Sequence, residues 1–202
     1  YENELDQQGN PIYDWANPNY KDYNPVALLQ MDPQKGYGFR TFLAPWLNYK
    51  IIEGLVFKAN AAVRFNTNKE TSFQNPLHGS GQTENGLSTH ETYHSRKWNA
   101  HASLNYDFTL ASLHNFQLFA GIEREEYNYE TFYGTAAGYD LGDVTTELSM
   151  GLKPRYTKSS TTETGLLSYI SFLKYNYNNK YYFDASLRRD GSSKFGDNHK
   201  WG

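Results

Sequence analysis

From Tyr37 onward, apolar and polar positions alternate along the chain with a period of two. In LVFKANAAVRF, Leu55, Phe57, Ala59, Ala61, Val63 and Phe65 share one face, while Lys58, Asn60 and Arg64, with Asn66 just beyond, share the other. WNAHASLNYDF repeats the pattern, with Trp98, Ala100, Ala102, Leu104, Tyr106 and Phe108 opposing Asn99, His101, Ser103, Asn105 and Asp107. In YYFDASLRRD, Tyr181, Phe183, Ala185 and Leu187 oppose Tyr182, Asp184, Ser186, Arg188 and Asp190. Each run predicts a strand with one apolar face and one wet face.

The apolar faces have a further texture. Aromatic residues stand at their ends and small or aliphatic ones between: Trp98 and Phe108 bracket Ala100, Ala102 and Leu104, as Phe57 and Phe65 bracket Ala59 and Ala61. A lipid-facing strand needs that order, because aromatic rings prefer the membrane interfaces and aliphatic groups the hydrocarbon. The apolar stretches run about 10 residues, the length of a membrane-crossing strand, whereas soluble strands peak at about 5 to 6. A soluble antiparallel sandwich alternates too, and stays open as the alternative.

The pattern predicts strands over 37–50, 54–67, 93–109, 115–131, 165–177 and 180–190. Their links are short at 51–53, 110–114 and 178–179, and long, polar and Gly/Ser/Thr/Asn-rich at 68–92 and 132–164. Strict alternation of short and long links is the asymmetry of outer-membrane barrels, with short periplasmic turns and long outer loops. Residues 1–36 break the pattern: Pro11, Pro18, Pro25 and Pro33 interrupt any long element, so a loop-rich segment is expected with one short helical turn near 26–30. Residues 37–202 are expected to form one partial barrel. The predicted fold class is all-β: an antiparallel transmembrane β-barrel segment, about six strands of a larger plugged barrel.

Composition narrows the chemistry. Aromatics make up 17% of the chain, 18 of them Tyr, although mean hydropathy is −0.79. No apolar run is long enough for a transmembrane helix. Net charge is −3 and the basic residues cluster no further than pairs such as Arg188-Arg189, so neither a nucleic-acid partner nor an anionic-lipid patch is expected. With no cysteine, disulfides and thiolate metal sites are ruled out.

His90-Glu91-Thr92-Tyr93-His94 matches the H-E-x-x-H pattern of zinc proteases. That chemistry requires a helix, on which i and i+4 reach one metal. Here the run follows a Gly/Ser/Thr loop and leads into a strand, where i and i+4 lie about 13 Å apart at roughly 3.3 Å per residue. Zinc bonds of about 2.0 Å cannot bridge that gap. Glu123, Glu125 and Glu126 resemble a glycosidase carboxylate set but lie at a strand end, where exposed charge is expected. No nucleophilic triad, P-loop or dinucleotide fingerprint stands out, so no catalytic residue, metal site or cofactor is assigned. The aromatics Trp15, Tyr20, Tyr23, Tyr133 and Tyr139 are candidates for stacking on sugars or peptides; no substrate-binding residue is assigned.

One long segment resembles a known family. LLSYISFLKYNYNNKYYFDASLRRDGSSKFGDNHKWG, residues 166–202, is similar to a signature of the SusC/RagA family of TonB-dependent outer-membrane transporters. The matching residues are Ser168, Tyr169, Tyr175, Tyr177, Tyr181, Arg188, Asp190, Gly191, Ser192, Ser193, Phe195 and Gly196; Ile170-Ser171 departs from the usual aromatic-glycine pair. Weaker echoes lie at Asn24-Pro25-Val26-Ala27, at the 47–58 hairpin and at 114–123.

The resemblance implies a bacterial outer-membrane protein importing oligomeric nutrients, glycans or peptides, with a SusD-like surface lipoprotein outside and the TonB complex supplying energy. It implies contact with outer-membrane lipid and no enzymatic activity. It also implies that this chain is an internal piece of a longer polypeptide, since no plug domain or TonB box reads in it. The motif from Arg188 to Gly196 is expected to be structural. Asp190-Gly191 is expected in a turn needing positive φ, flanked by Ser hydroxyls that satisfy backbone groups, with Arg188 in a lumenal polar network. The alternative function is a soluble β-sandwich carbohydrate-binding module.

Overall fold

The computed structural model describes residues 4–8, 11–13, 24–139, 146–196 and 200–202. A two-stranded antiparallel ribbon, β1 (Glu4–Leu5) with β2 (Pro11–Ile12), precedes a short helix, α1 (Pro25–Met31). Asn24 caps that helix, its side-chain oxygen accepting from the N–H groups of Val26 and Ala27 at 3.0 and 3.2 Å, and Pro25 opens the first turn, where no amide hydrogen is needed.

The remainder is β3 (Gln34–Leu43), β4 (Trp46–Ile52), β5 (Leu55–Gln74), α2 (Gly79–Glu84), β6 (Leu87–Leu110), β7 (His114–Ala137), a 3-10 turn (Leu148–Met150), β8 (Lys153–Tyr177) and β9 (Tyr181–Ser192). One seven-stranded sheet runs β3-β5-β6-β7-β8-β9, with β4 also on β5. The expected six strands are seven because the first, expected over 37–50, breaks at Ala44-Pro45. Proline has no N–H for the ladder, but its carbonyl still accepts from Ala61 at 3.0 Å, so both halves stay on β5.

β5 to β8 are 20 to 25 residues long, well beyond the predicted spans. The expected long links accordingly shrink to 75–86 and 138–152. The links at the other ends are tight: Glu53-Gly54, 111–113 and 178–180. Gly54 has φ of +76°, and a side chain there would strike the Asp107 carbonyl oxygen at 2.1 Å. The Asp107 N–H in turn donates to Gly54 O at 2.9 Å.

The strands contribute to two compact units. One comprises the described parts of Tyr1–Gly38 with Thr67–Tyr93 and Thr131–Ser160; the other comprises Phe39–Asn66, His94–Glu130 and Thr161–Gly202. The first holds the densest core. Tyr139 is 4% exposed and meets Phe73 edge-on at 5.2 Å, its N–H donating to Asn85 O at 2.7 Å and its hydroxyl to Glu147 O at 3.1 Å. Asp32 accepts the Asn75 N–H at 2.8 Å and faces the buried ring of His78 at 3.1 Å.

The second unit is a sheet with an apolar face that nothing covers. Leu187 is 72% exposed, Phe183 57% and Tyr49 60%, so the covering sheet of a sandwich is absent among the described residues. Register puts the predicted faces together: Leu47 pairs with Ala59 and Tyr49 with Phe57, while Ser171 pairs with Leu187, Leu173 with Ala185 and Tyr175 with Phe183. At the end with the tight turns this face carries a belt of rings. Phe108 lies 5.0 Å from Phe116, Phe116 4.9 Å from Tyr175, His114 4.9 Å from Tyr177, and Tyr177 6.4 Å from Tyr181. Trp98 stands ten residues up β6 from Phe108. At about 3.4 Å per residue and a tilt near 45° the two lie about 24 Å apart along the membrane normal, close to the hydrocarbon thickness. The sheet is a transmembrane β-barrel segment.

Candidate functional site

β9 positions the motif. Arg188 and Asp190, two residues apart, share the lumenal face. The Arg188 Nε donates to both carboxylate oxygens of Asp190 at 2.9 Å, and its Nη2 donates to Ser168 Oγ on β8 at 3.1 Å. Ser168 is fully buried and pairs with Asp190 in the ladder, so the cross-strand register sets the three groups. A fork-shaped cation on a carboxylate, tied to the neighbouring strand, can orient strand ends.

The expected turn at Asp190-Gly191 is not there. Gly191 lies within β9 and has no positive φ, and the chain turns at Ser193 to Phe195. Beyond residues 197–199, which lie outside the described residues, the chain runs back antiparallel to β9. Ser192 N–H donates to Lys200 O at 2.8 Å, Asp190 N–H to Gly202 O at 3.1 Å and Gly202 N–H to Asp190 O at 2.9 Å. Gly191 is needed for close approach: the indole of Trp201 lies over it, 5.9 Å from the Tyr169 ring and 5.0 Å from the Arg189 guanidinium.

The serines clasp the neighbouring strand. Ser193 N–H donates to Gly165 O at 2.9 Å, and Gly165 N–H donates to Ser193 Oγ at 2.7 Å. Ser192 Oγ accepts the Lys194 N–H at a looser 3.3 Å, and Ser192 O accepts that of Phe195 at 3.3 Å. The Phe195 side chain is 61% exposed, and Gly196 has open space around it.

The other candidates disperse. His90 to His94 lie inside β6, in extended backbone, and His90 Nε2 faces the Thr146 carbonyl oxygen at 3.2 Å. The helical setting that a shared zinc needs is therefore missing. Glu125 pairs with Lys97 at 3.0 Å; Glu126 is held by Arg124 and by Trp98 Nε1 at 3.0 Å. These are structural pairings of a sheet, not a catalytic couple. Trp15, Tyr20 and Tyr23 lie outside the described residues. Tyr139 is buried and closed to any ligand, whereas Tyr133 stacks loosely on Tyr156 at 6.0 Å.

Sequence reasoning missed the Gly191–Trp201 contact and the apolar stack on the lumenal face, where Phe119 lies parallel to Phe172 at 4.8 Å with His101 at 6.3 Å from Phe119. Phe119 and Phe172 break the polar rows of their strands, and that break is the one signal that could have flagged them.

Comparison with known proteins agrees with this architecture. No family model matches the chain. Over 188 residues it is 25% identical to TonB-dependent receptor P39 of Formosa agariphila, and over 181 residues 26% identical to TonB-dependent receptor P3 of the same organism. These alignments cover 91% and 88% of this chain, which spans 18% of the length of either relative. Neither is named as an enzyme. Among solved structures, the RagAB peptide transporter matches with a TM-score of 0.79 at 21% identity, over 96% of this chain and 22% of that one. The RagAB peptide importer in its open-open state matches with a TM-score of 0.77 at 20% identity, over 97% and 22%. By motif, relatives and fold together, the chain is similar to a segment of the β-barrel of SusC/RagA-like TonB-dependent outer-membrane receptors.

Proposed function

We propose that this segment is part of the wall of a transporter that imports oligomeric nutrients, glycans or peptides, across the outer membrane. Energy comes from the TonB complex, and a SusD-like surface lipoprotein closes over the outer mouth. The observation that carries this reading is a single sheet with an uncovered apolar band between two aromatic levels, opposed by a polar face on which Arg188, Asp190 and Ser168 are joined. The peptide transport named for RagAB and the receptor names of the Formosa proteins support the same role here. The motif serves this role as an anchor of strand ends, not as a contact to cargo.

The test uses the full-length protein in its own outer membrane. Deletion of its gene is expected to abolish growth on one class of oligosaccharide or peptide. Removal of TonB should have the same effect, and affinity purification in mild detergent should recover a surface lipoprotein. Uptake that persists without TonB, in cells where the barrel is folded, would refute the reading.

A further inference from the structure

The inner face of the second unit, on which Arg188 and Asp190 lie, can be followed from strand to strand by its contacts. Arg40 Nε on β3 donates to Asn66 Oδ1 on β5 at 2.9 Å, and Asn66 Nδ2 donates to Ser95 Oγ on β6 at 3.1 Å. Two residues along β6, Lys97 meets Glu125 of β7 at 3.0 Å. From β7 the Phe119–Phe172 stack leads to β8, where Ser168 meets Arg188. Tyr127 and Tyr129 share the Glu125 face of β7. Both are half-buried, and their rings lie within 12° of parallel with centroids 6.2 Å apart.

Charge is unevenly spread over this face. All four basic residues of 39–66, Arg40, Lys50, Lys58 and Arg64, occupy its positions, and the one acidic residue of that stretch, Glu53, is taken by Lys50 in the tight turn. Arg40 and Arg64 are exposed and held by neutral groups, Arg40 by the Asn66 amide and Arg64 by the Phe42 ring, 5.6 Å from its centre. Among the described residues neither has a carboxylate partner. Glu125 is taken by Lys97, and Glu123 acts on Arg188. The next carboxylates along β5 and β6, Glu70 and Glu91, come four residues past Asn66 and Ser95, about 13 Å by strand rise. Arg40, Arg64 and Lys97 against Glu125 therefore leave a positive strip beside the tyrosines.

Tight turns mark the periplasmic side, so this strip, at and beyond the level of Trp98, lines the outer mouth, where incoming cargo first meets the wall. A guanidinium held by one amide keeps further N–H donors for a carboxylate or sulfate. The two phenol rings provide flat apolar surfaces of the kind on which the C–H face of a sugar lies, and Asn66 and Ser95 can bond its hydroxyls. An acidic peptide would satisfy the arginines, but it has no repeated flat face for the tyrosines. Arg40 on β3 and Tyr127 on β7 stand three strand spacings apart, about 14 Å, which calls for a ligand of several sugar units.

We propose that this wall is a subsite for an anionic oligosaccharide, one bearing carboxylate or sulfate groups, with Arg40 and Arg64 on its charges and Tyr127 and Tyr129 under its sugar rings. The subsite rests on the transporter reading above and narrows the cargo to one chemical class.

The full-length protein, purified in detergent, is titrated by calorimetry with hexasaccharides carrying a carboxylate or a sulfate on each sugar, with the same sugars neutralised by methyl esterification or desulfation, and with hexaglutamate. Wild type is expected to bind an anionic sugar at least about tenfold more tightly than its neutral form, less so as salt rises, and more tightly than hexaglutamate. Arg40→Gln with Arg64→Gln keeps an N–H donor beside Asn66 and should bring charged and neutral forms near parity. Tyr127→Ala with Tyr129→Ala should weaken both forms and preserve their ratio, folding being checked by heat-modifiable mobility. Wild type that prefers neither charged sugar overturns the proposal, as does an unchanged preference in the folded arginine variant. Hexaglutamate bound equally well or better overturns it in favour of acidic peptides. A cargo of another class, still imported through TonB, would sink this subsite and leave the transporter reading standing.

Discussion

The indole of Trp201 occupies the space that a side chain on Gly191 would need: a methyl there would meet its Cε3 and Cζ3 at 2.9 Å. Gly191→Ala is therefore expected to push the ring off Tyr169 and destabilise the folded full-length barrel by about 1–3 kcal/mol, the usual cost of overpacking. Trp201→Ala should relieve much of that cost, so the two changes couple. Denaturant midpoints of the two single variants and the double variant measure the coupling. Purely additive effects would mean that the ring moves aside freely.

Ser193 and Gly165 exchange two hydrogen bonds across β8, one of them through the serine hydroxyl. Ser193→Ala removes that hydroxyl and is expected to cost about 1 kcal/mol. Ser192→Ala should cost less, because its hydroxyl accepts one longer bond within its own turn. Equal effects in urea unfolding of the folded barrel would show that the clasp does not fix this turn.

Strand identity was legible wherever one face meets lipid and the other water, since that contrast imposes the period of two. It was illegible where both faces meet water. Residues such as Asn68, Lys69, Glu70 and Thr71 at the end of β5, or Thr157, Lys158, Ser159 and Ser160 on β8, carry no alternation, yet they are strand. Loop composition and solvated-strand composition are the same there. The motif's residues could be found by resemblance, but the reason for Gly191 could not, because Trp201 comes ten residues later and meets it only after the chain has turned back.

Two tight turns between strands differ in quality. Asn178 and Asn179 adopt φ of 48° and 53°, which asparagine tolerates, and Asn176 braces the second turn residue through a 2.7 Å bond from the Asn179 N–H. Ala111 and Ser112 adopt φ of 50° and 56° with no such aptitude. Ala111→Asn with Ser112→Gly is expected to stabilise the barrel by about 1–2 kcal/mol. A lower unfolding midpoint for this pair would mean that the turn has another conformation in the membrane.

Burial raises the pKa of the Tyr139 hydroxyl above that of a free tyrosine; the Ser88 hydroxyl opposes the shift and the Glu147 carboxylate adds to it. Above pH of about 10 an unfolded chain releases this proton while the folded one retains it, so the unfolded state gains. Its contribution to stability is therefore full below about pH 10 and is lost as pH rises through the raised folded value. Hydrogen exchange at 75–86 and 138–152 should accelerate in that window, beyond the rise in intrinsic exchange. Tyr139→Phe should lose about 1 kcal/mol at neutral pH, with its bond to Glu147 O, and lose the alkaline step as well. A Phe variant that keeps the step would assign it to another group.

Arg188 separates the anchoring role from a role in transport. Its guanidinium holds Asp190 and reaches Ser168, so Arg188→Ala frees the carboxylate and releases the upper end of β9 from β8. Folded barrel in the outer membrane is expected to decrease, and uptake should fall only in proportion. Arg188→Lys keeps the charge but not the two-oxygen geometry, and should be intermediate. Asp190→Asn should resemble it, since the fork then lacks its ionic partner. Uptake lost at normal levels of folded protein would instead make Arg188 a residue of the transport path, and the anchor reading of this motif would have to be abandoned.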